Sequence, residues 1–116
     1  LTEYSDIISI TIQWLSTTKN NSVPDSYSLH QNYPNPFNPS TKIHYDLPEN
    51  VMVNITIYDM MGRVINNLVG SKESSGFKSV LWKAVDNFGQ PVSAGVYLYQ
   101  IETGSFSQTK KMILLK

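Results

Sequence analysis

The chain of 116 residues contains no cysteine. Without thiols it forms neither disulfides nor thiolate metal sites nor a cysteine nucleophile, and its redox compartment stays undetermined. Neither positive nor negative charge dominates, because nine acidic residues balance nine lysines and arginines. We therefore expect neither nucleic acid nor an anionic membrane surface as a partner.

Long apolar runs are also missing. No segment approaches the roughly 20 apolar residues that span a bilayer, and no basic, apolar and small-residue series marks a signal peptide. The sequence begins at Leu1 rather than at methionine. This start favours a processed product or the C-terminal part of a longer protein, with any export signal on the part that precedes it.

The chemistry of an active site has little support in the sequence. The two histidines, His30 and His44, have no evident carboxylate or nucleophile partner, and no serine lies in a nucleophile-elbow pattern. Residues 86–89 could begin a calcium loop, but such loops carry more carboxylates, which favours a turn in which Asp86 binds its own backbone. We expect no enzyme, no catalytic residue, no metal ligand, no cofactor and no small-molecule substrate.

What is present is a series of short stretches with the two-residue period of β-strands. They cover residues 42–47, 51–58, 63–69, 77–84, 96–102 and 106–115. A tight turn at 59–62 would join the second and third strands, and an exposed loop at 70–76 would join the third and fourth. No window of ten residues has the period of a helix. Six strands joined by short turns predict an all-β, antiparallel β-sandwich, to which an N-terminal strand could add a seventh.

The N-terminal strand, within residues 1–16, is amphipathic. Its apolar face carries Ile8, Ile10, Ile12 and Trp14. A polar linker follows at residues 17–27, so the strand needs a partner in its own chain, in a preceding domain or in another copy. We favour the interpretation that it ends a preceding cargo domain. The alternative is that residues 7–15 insert into a neighbouring copy and build an extracellular filament, which would make the protein a homo-oligomer.

Three of the six prolines fall close together where the sandwich, residues 28–116, begins. Proline fixes the backbone angle φ and donates no hydrogen bond, so this segment must be extended and cannot sit inside a sheet. We expect it to stiffen the chain there and to help seal the first strand of the sandwich against stray pairing. This proline segment consists of Tyr33, Pro34, Asn35, Pro36, Phe37, Asn38 and Pro39.

The C-terminal segment, residues 110–116, is a strand with lysines at both ends and apolar residues between them. Lysines commonly guard the edges of sheets, so a structural role alone would explain the pattern, and physical grounds rank that role first. A receptor could also pair with the edge of such a strand or capture its carboxylate.

In combination, these features resemble the C-terminal sorting domain (type A) of the type IX, or Por, secretion system. The resemblance covers residues 28–116, with the motifs in order and at the expected spacings. It is carried by residues 29–41, Ile57-Tyr58-Asp59, Gly62-Arg63, Val80-Leu81-Trp82, Gly89, Ala94-Gly95-Val96-Tyr97 and residues 110–116. The sequence departs from the family at residues 82–86, where a Trp-Asp-Gly-type turn is common.

The resemblance implies an immunoglobulin-like β-sandwich of about six to seven strands, attached behind a cargo domain. It implies a non-catalytic targeting role, with export through the periplasm of a Gram-negative bacterium to the medium or the cell surface. The implied partners are an outer-membrane translocon, the linked cargo and, in many members, a surface sortase. The residues that the resemblance marks for recognition are Lys110, Lys111, Met112, Ile113, Leu114, Leu115, Lys116, Gly95, Val96 and Tyr97.

Overall fold

The computed structural model describes residues 23–116. Seven strands and no helix are present in this part of the chain: the six that the two-residue periodicity predicts and a strand of two residues, Ser28–Leu29, that it does not. The strands are β1 (Ser28–Leu29), β2 (Thr41–Leu47), β3 (Val51–Asp59), β4 (Val64–Glu73), β5 (Gly76–Trp82), β6 (Gly95–Glu102) and β7 (Ser107–Leu114). The predicted N-terminal strand, with its candidate donor residues 7–15, lies outside the described residues.

The strands form two antiparallel sheets that pack face to face. One sheet has the order β1-β2-β5, and the other has the order β4-β3-β6-β7. Side chains alternate between the two faces of each strand, so one apolar face of each sheet is buried between them. The buried core consists of Leu29, Phe37, Ile43, Tyr45, Leu47, Val53, Ile55, Ile57, Trp82, Ala84, Tyr97, Tyr99, Ile101, Met112 and Leu114. The predicted all-β, immunoglobulin-like sandwich is confirmed.

The connection from β4 to β5 is shorter than the sequence predicts. Residues 70–76 are rich in glycine and serine and were expected to form a loop, but β4 continues to Glu73 and β5 begins at Gly76. The reason is the length of β3, whose first residue, Val51, pairs with Glu73. Backbone pairing with a long neighbouring strand therefore outweighs the low strand propensity of glycine, serine and lysine.

The strand β5 ends at Trp82, two residues before its predicted end. Ala84 has a φ of 60°, a left-handed conformation that ends the extended run and that favours glycine. It falls within the stretch where the sequence departs from the family's Trp-Asp-Gly pattern. The loop is closed by two hydrogen bonds, from Trp82 Nε1 to the Val85 carbonyl at 2.8 Å and from the Val92 N–H to the Ala84 carbonyl at 3.0 Å.

The turn between β3 and β4 forms at residues 59–62, as predicted. The Gly62 N–H donates to the Asp59 carbonyl at 3.0 Å, and Gly62 has a φ of 85°. The Asp59 carboxylate accepts hydrogen bonds from the N–H groups of Met61 and Arg63, and Arg63 Nε lies 2.7 Å from its Oδ2. The backbone hydrogen bond from Arg63 is the main cause that holds the pKa of Asp59 below its ordinary value.

The lowered pKa of Asp59 makes the stability of this turn depend on pH. Because the pKa is lower in the folded chain, the ionised carboxylate stabilises the fold above its unfolded pKa of about 3.9, and this contribution is lost as the pH falls through the folded pKa. We expect Asp59→Asn to lower the Tm at neutral pH and the difference to shrink at acid pH. Thermal unfolding followed by circular dichroism from about pH 7 to about pH 2 measures both effects. A Tm difference that does not change with pH would contradict this account.

Candidate functional site

The proline segment and the C-terminal segment, the two most specific sequence features, lie against each other. The Phe37 N–H donates to the Ile113 carbonyl at 2.9 Å, and the Leu115 N–H donates to the Phe37 carbonyl at 2.9 Å. The Oδ1 atom of Asn35 accepts a hydrogen bond from the Ile113 N–H at 3.0 Å. The proline segment therefore lies beside the end of β7 and pairs with it through one isolated parallel bridge, between Phe37 and Leu114.

This contact covers part of a sheet edge, where unpaired backbone groups could pair with another chain. The strand β7 is at the edge of its sheet, so every second residue points its N–H and carbonyl away from β6. Prolines at positions 34, 36 and 39 have no N–H that would need a partner, while Asn35 offers a side-chain oxygen and Phe37 offers its backbone. The proline segment can thus close the edge while it presents few backbone donors of its own.

Upstream side chains extend the cover along β7. The Gln31 side chain donates from Nε2 to the Lys111 carbonyl at 2.8 Å. The Gln108 side chain accepts at Oε1 from the Leu29 N–H at 3.3 Å, which links β7 to β1 of the other sheet. The last strand is therefore hydrogen-bonded to preceding parts of the chain at three positions, by Leu29, by Gln31 and by the proline segment.

An aromatic cluster anchors the proline segment to the core. The Phe37 side chain is buried, and its ring centroid lies 5.9 Å from that of Trp82. The Trp82 ring in turn meets Tyr97 edge-on, with centroids 5.5 Å apart and planes at 72°. Such pairs add about 0.5–1.5 kcal/mol each beyond the burial of their area. The cluster thus joins the proline segment, β5 and β6.

A buried polar network holds the chain just before Pro34, the first proline of the proline segment. The Tyr99 hydroxyl donates to the His30 carbonyl at 2.7 Å and accepts from the Asn32 N–H at 2.8 Å. Burial raises the pKa of Tyr99 to about 12. The Asn32 side chain donates from Nδ2 to Thr41 Oγ1 at 3.0 Å, and the Thr41 hydroxyl donates to the Pro34 carbonyl at 2.8 Å. The network fixes both ends of the turn that presents the proline segment.

The proline segment contacts two strands, the first long strand and the last one. Tyr33 and Lys42 exchange two backbone hydrogen bonds of 2.9 Å, so the segment does cover the start of β2, the first long strand. Its main edge contact, through Asn35 and Phe37, is with the last strand instead. The sequence gives no sign of this contact, because the paired residues Asn35 and Ile113 are 78 positions apart.

The ten residues marked for recognition fall into three groups by their exposure to solvent. Tyr97, Met112 and Leu114 are buried in the core, and they hold the fold rather than offering a surface. The exposed residues are Gly95, Lys111, Ile113, Leu115 and Lys116, and the partly buried ones are Val96 and Lys110. The pairing of β6 with β7 sets Gly95 opposite Leu114 and Val96 opposite Ile113. The two predicted recognition elements are therefore direct neighbours.

The other candidate sites of the sequence have structural partners. His30, which was expected to lack a partner, has its Nε2 atom 3.0 Å from Asp46 Oδ2. The Asp86 Oδ1 atom accepts from the N–H groups of Phe88 and Gln90, which is the backbone-bonded turn that the sequence favours. Within residues 23–116 no group of acidic, histidine or cysteine side chains is arranged to hold a metal ion. In the same range no helix is long and apolar enough to cross a membrane.

The match to known families agrees with this geometry. The sequence profile described as the secretion system C-terminal sorting domain matches residues 31–115. The chain belongs to this family, the C-terminal sorting domains of the type IX secretion system. Membership places the protein among those that Gram-negative bacteria secrete or hold at the cell surface. No curated protein sequence matches the chain.

Three solved structures share the fold. Dimeric latent PorU from Porphyromonas gingivalis has a TM-score of 0.64 and 23% identity, and the match covers 79% of this chain and 9% of PorU. PorZ of the same organism, described as an essential bacterial surface component of the type IX secretion system, has a TM-score of 0.51, 21% identity and coverage of 79% and 12%. FlgD from P. aeruginosa has a TM-score of 0.51, 24% identity and coverage of 64% and 58%. This chain thus spans a small part of PorU and PorZ, and the likeness shows the fold alone.

The Tyr99 network predicts a specific loss of stability. Replacing Tyr99 with phenylalanine leaves the His30 carbonyl and the Asn32 N–H without their buried partner, so the free energy of unfolding should fall by about 1–3 kcal/mol. The matched control is Tyr33→Phe, which removes the same hydroxyl from a side chain that is 77% exposed. Urea unfolding of the full chain measures both variants. Equal stability of the Tyr99 and Tyr33 variants would show that the network contributes nothing.

Proposed function

We propose that this domain is a non-catalytic targeting module that directs a covalently linked cargo through the type IX secretion system. The observation that carries the proposal is the contact between the proline segment and the C-terminal segment, whose contacting residues lie within the family match. It joins two sequence features into one folded surface. We propose that the secretion machinery reads this folded surface rather than an unfolded tail.

The division of the C-terminal segment into buried and exposed side chains supports this proposal. Met112 and Leu114 are buried, while Lys111, Leu115 and Lys116 are exposed. A receptor that required an unfolded tail would have to expose both core side chains, at a cost of about 1.5–3 kcal/mol each. Reading the exposed side chains of a folded domain avoids this cost. The partners that the function requires are an upstream cargo domain, an outer-membrane translocon and, where the domain is removed, a surface sortase.

The proposal predicts that the chain directs the export of an unrelated protein that is fused in front of it. A periplasmic reporter fused in front of the full 116-residue chain should reach the surface or the medium of a bacterium that has this secretion system. Cell fractionation and immunoblotting measure its distribution. The reporter alone, and the fusion in a strain without the translocon, should stay in the periplasm. Periplasmic retention of the fusion in the competent strain would contradict the proposal.

A set of surface variants of the same fusion locates the signal. Deleting residues 110–116 would remove two core side chains, so it would not separate recognition from unfolding. The triple variant Lys111→Gln, Leu115→Ser and Lys116→Gln changes exposed side chains only and should keep the Tm within about 4 °C of the native value. We expect this variant to lose export while it stays folded.

The matched control removes the same residue types elsewhere. Lys72→Gln, Leu81→Ser and Lys83→Gln change two exposed lysines and one exposed leucine far along the chain from the C-terminal segment. This control should be exported at the native level. Native export of the C-terminal triple variant would show that its exposed side chains carry no signal.

A further inference from the structure

The outer face of the four-stranded sheet is divided into an apolar half and a polar half. Along β6 the buried residues Tyr97, Tyr99 and Ile101 point inward, so the residues between them point outward. These outward positions are Val96 and Leu98 at one end and Gln100 and Glu102 at the other. A solvated outer face would normally be polar along its whole length.

The apolar half continues across all four strands. Ile113 of β7 is opposite Val96, Tyr58 of β3 is opposite Leu98, and Val64 of β4 is opposite Tyr58. We call Val64, Tyr58, Leu98, Val96 and Ile113 the apolar row. Val64 is 51% exposed and Ile113 is 36% exposed, while Tyr58, Leu98 and Val96 are partly buried, so the two ends of the row are open to solvent within residues 23–116.

The other half of the same face differs sharply in composition. It carries Asn54, Thr56, Gln100, Glu102, Ser107 and Thr109, which face one another across β3, β6 and β7, with the exposed Met52 beyond them at the start of β3. The Tyr58 hydroxyl lies 3.5 Å from Gln100 Oε1 and marks the boundary. The contrast indicates that the apolar row is a localised feature and not a general property of the sheet.

Positive charge borders the apolar row. Lys111 is directly opposite Leu98, and Lys116 follows two residues after the end of β7. Within residues 23–116 the ion pairs are His30–Asp46 and Arg63–Asp59, so neither lysine has a carboxylate partner there. A partner that covers the row and also presents carboxylates would satisfy both the apolar and the charged groups.

The closed edge of β7 decides how a partner can approach. The Ile113 and Leu115 backbone groups that point away from β6 are already bound by Asn35 and Phe37. A partner strand could pair there only after displacing the proline segment. The outer face beside that edge carries the apolar row and Lys111, and it requires no such displacement.

We propose that the apolar row is the surface through which this sorting domain docks onto a protein of the secretion machinery that presents apolar side chains flanked by carboxylates. This inference rests on the proposed targeting function. It adds Tyr58, Val64 and Leu98 to the surface, none of which belongs to the residues that the family resemblance marks for recognition. It also assigns Ile113 a contact through its side chain and not through its backbone.

The test uses the exported reporter fusion carrying the full chain. The variant Val64→Thr, Leu98→Thr and Ile113→Thr keeps strand-forming, β-branched residues while it removes apolar surface. It should reduce export roughly tenfold or more with a native circular dichroism spectrum. The matched control, Phe77→Thr with Leu81→Thr, removes exposed apolar side chains from the other sheet and should be exported normally.

The positive charge of Lys111, beside the apolar row, allows a second and independent test of the docking surface. Lys111→Glu should reduce export more than Lys111→Gln, because reversal places a carboxylate against the carboxylates of the partner. Equal export of the two variants would overturn the charge complementarity. Native export of the apolar-row variant, while the unaltered fusion is exported, would overturn the docking surface and leave the targeting function standing. Failure of the unaltered fusion would overturn the targeting function itself.

Two other occupants of the apolar row would also overturn the proposal. If the purified full chain is a dimer in analytical ultracentrifugation and the apolar-row variant is a monomer, the row binds a second copy. If replacing Ile8, Ile10 and Ile12 with threonine raises amide exchange at residues 96–98 and 111–113, the row is covered by the chain's own N-terminal residues. The proposal expects a monomeric chain in which replacing Ile8, Ile10 and Ile12 leaves amide exchange at residues 96–98 and 111–113 unchanged. That result agrees with a surface that is available to an external partner.

Discussion

The structure depends on how the open edge of its last strand is closed. An edge strand exposes backbone N–H and carbonyl groups that invite pairing with other chains. Here the groups of Ile113 and Leu115 are bound by Asn35 and Phe37, and the buried Phe37 ring fixes that contact to the core. Because prolines flank Phe37 and Asn35, the covering segment presents few unpaired donors of its own. The domain is thereby closed at one of its sheet edges.

The same closure divides the C-terminal segment into buried and exposed groups. Met112 and Leu114 point into the core, and the proline segment binds the backbone of Ile113 and Leu115. Lys111, Lys116 and the side chains of Ile113 and Leu115 remain exposed. The family match identifies a type IX sorting domain, and under the proposed targeting function the secretion machinery would read these exposed groups on the folded domain.

The sequence predicted the strands well because each half-buried strand carries a two-residue period. It failed at residues 70–73, where pairing with β3 imposes strand structure on glycine, serine and lysine, and at Ala84, whose left-handed conformation has no signature in an alanine. It could not reveal the Tyr99 network or the Asn35 contact, since partners 67 and 78 positions apart leave no local pattern. The family resemblance marks segments for recognition, and only the structure divides their residues into buried and exposed groups.

The most direct test of this account is native-state amide hydrogen exchange of the full chain. If the proline segment closes the edge of β7, the amides of Ile113 and Leu115 should exchange as slowly as those of the core strands. The Thr109 amide points to the same edge beyond the proline segment and is an internal reference that should exchange fast. Fast exchange at Ile113 and Leu115, at the rate of Thr109, would contradict the central claim that the proline segment holds the last strand.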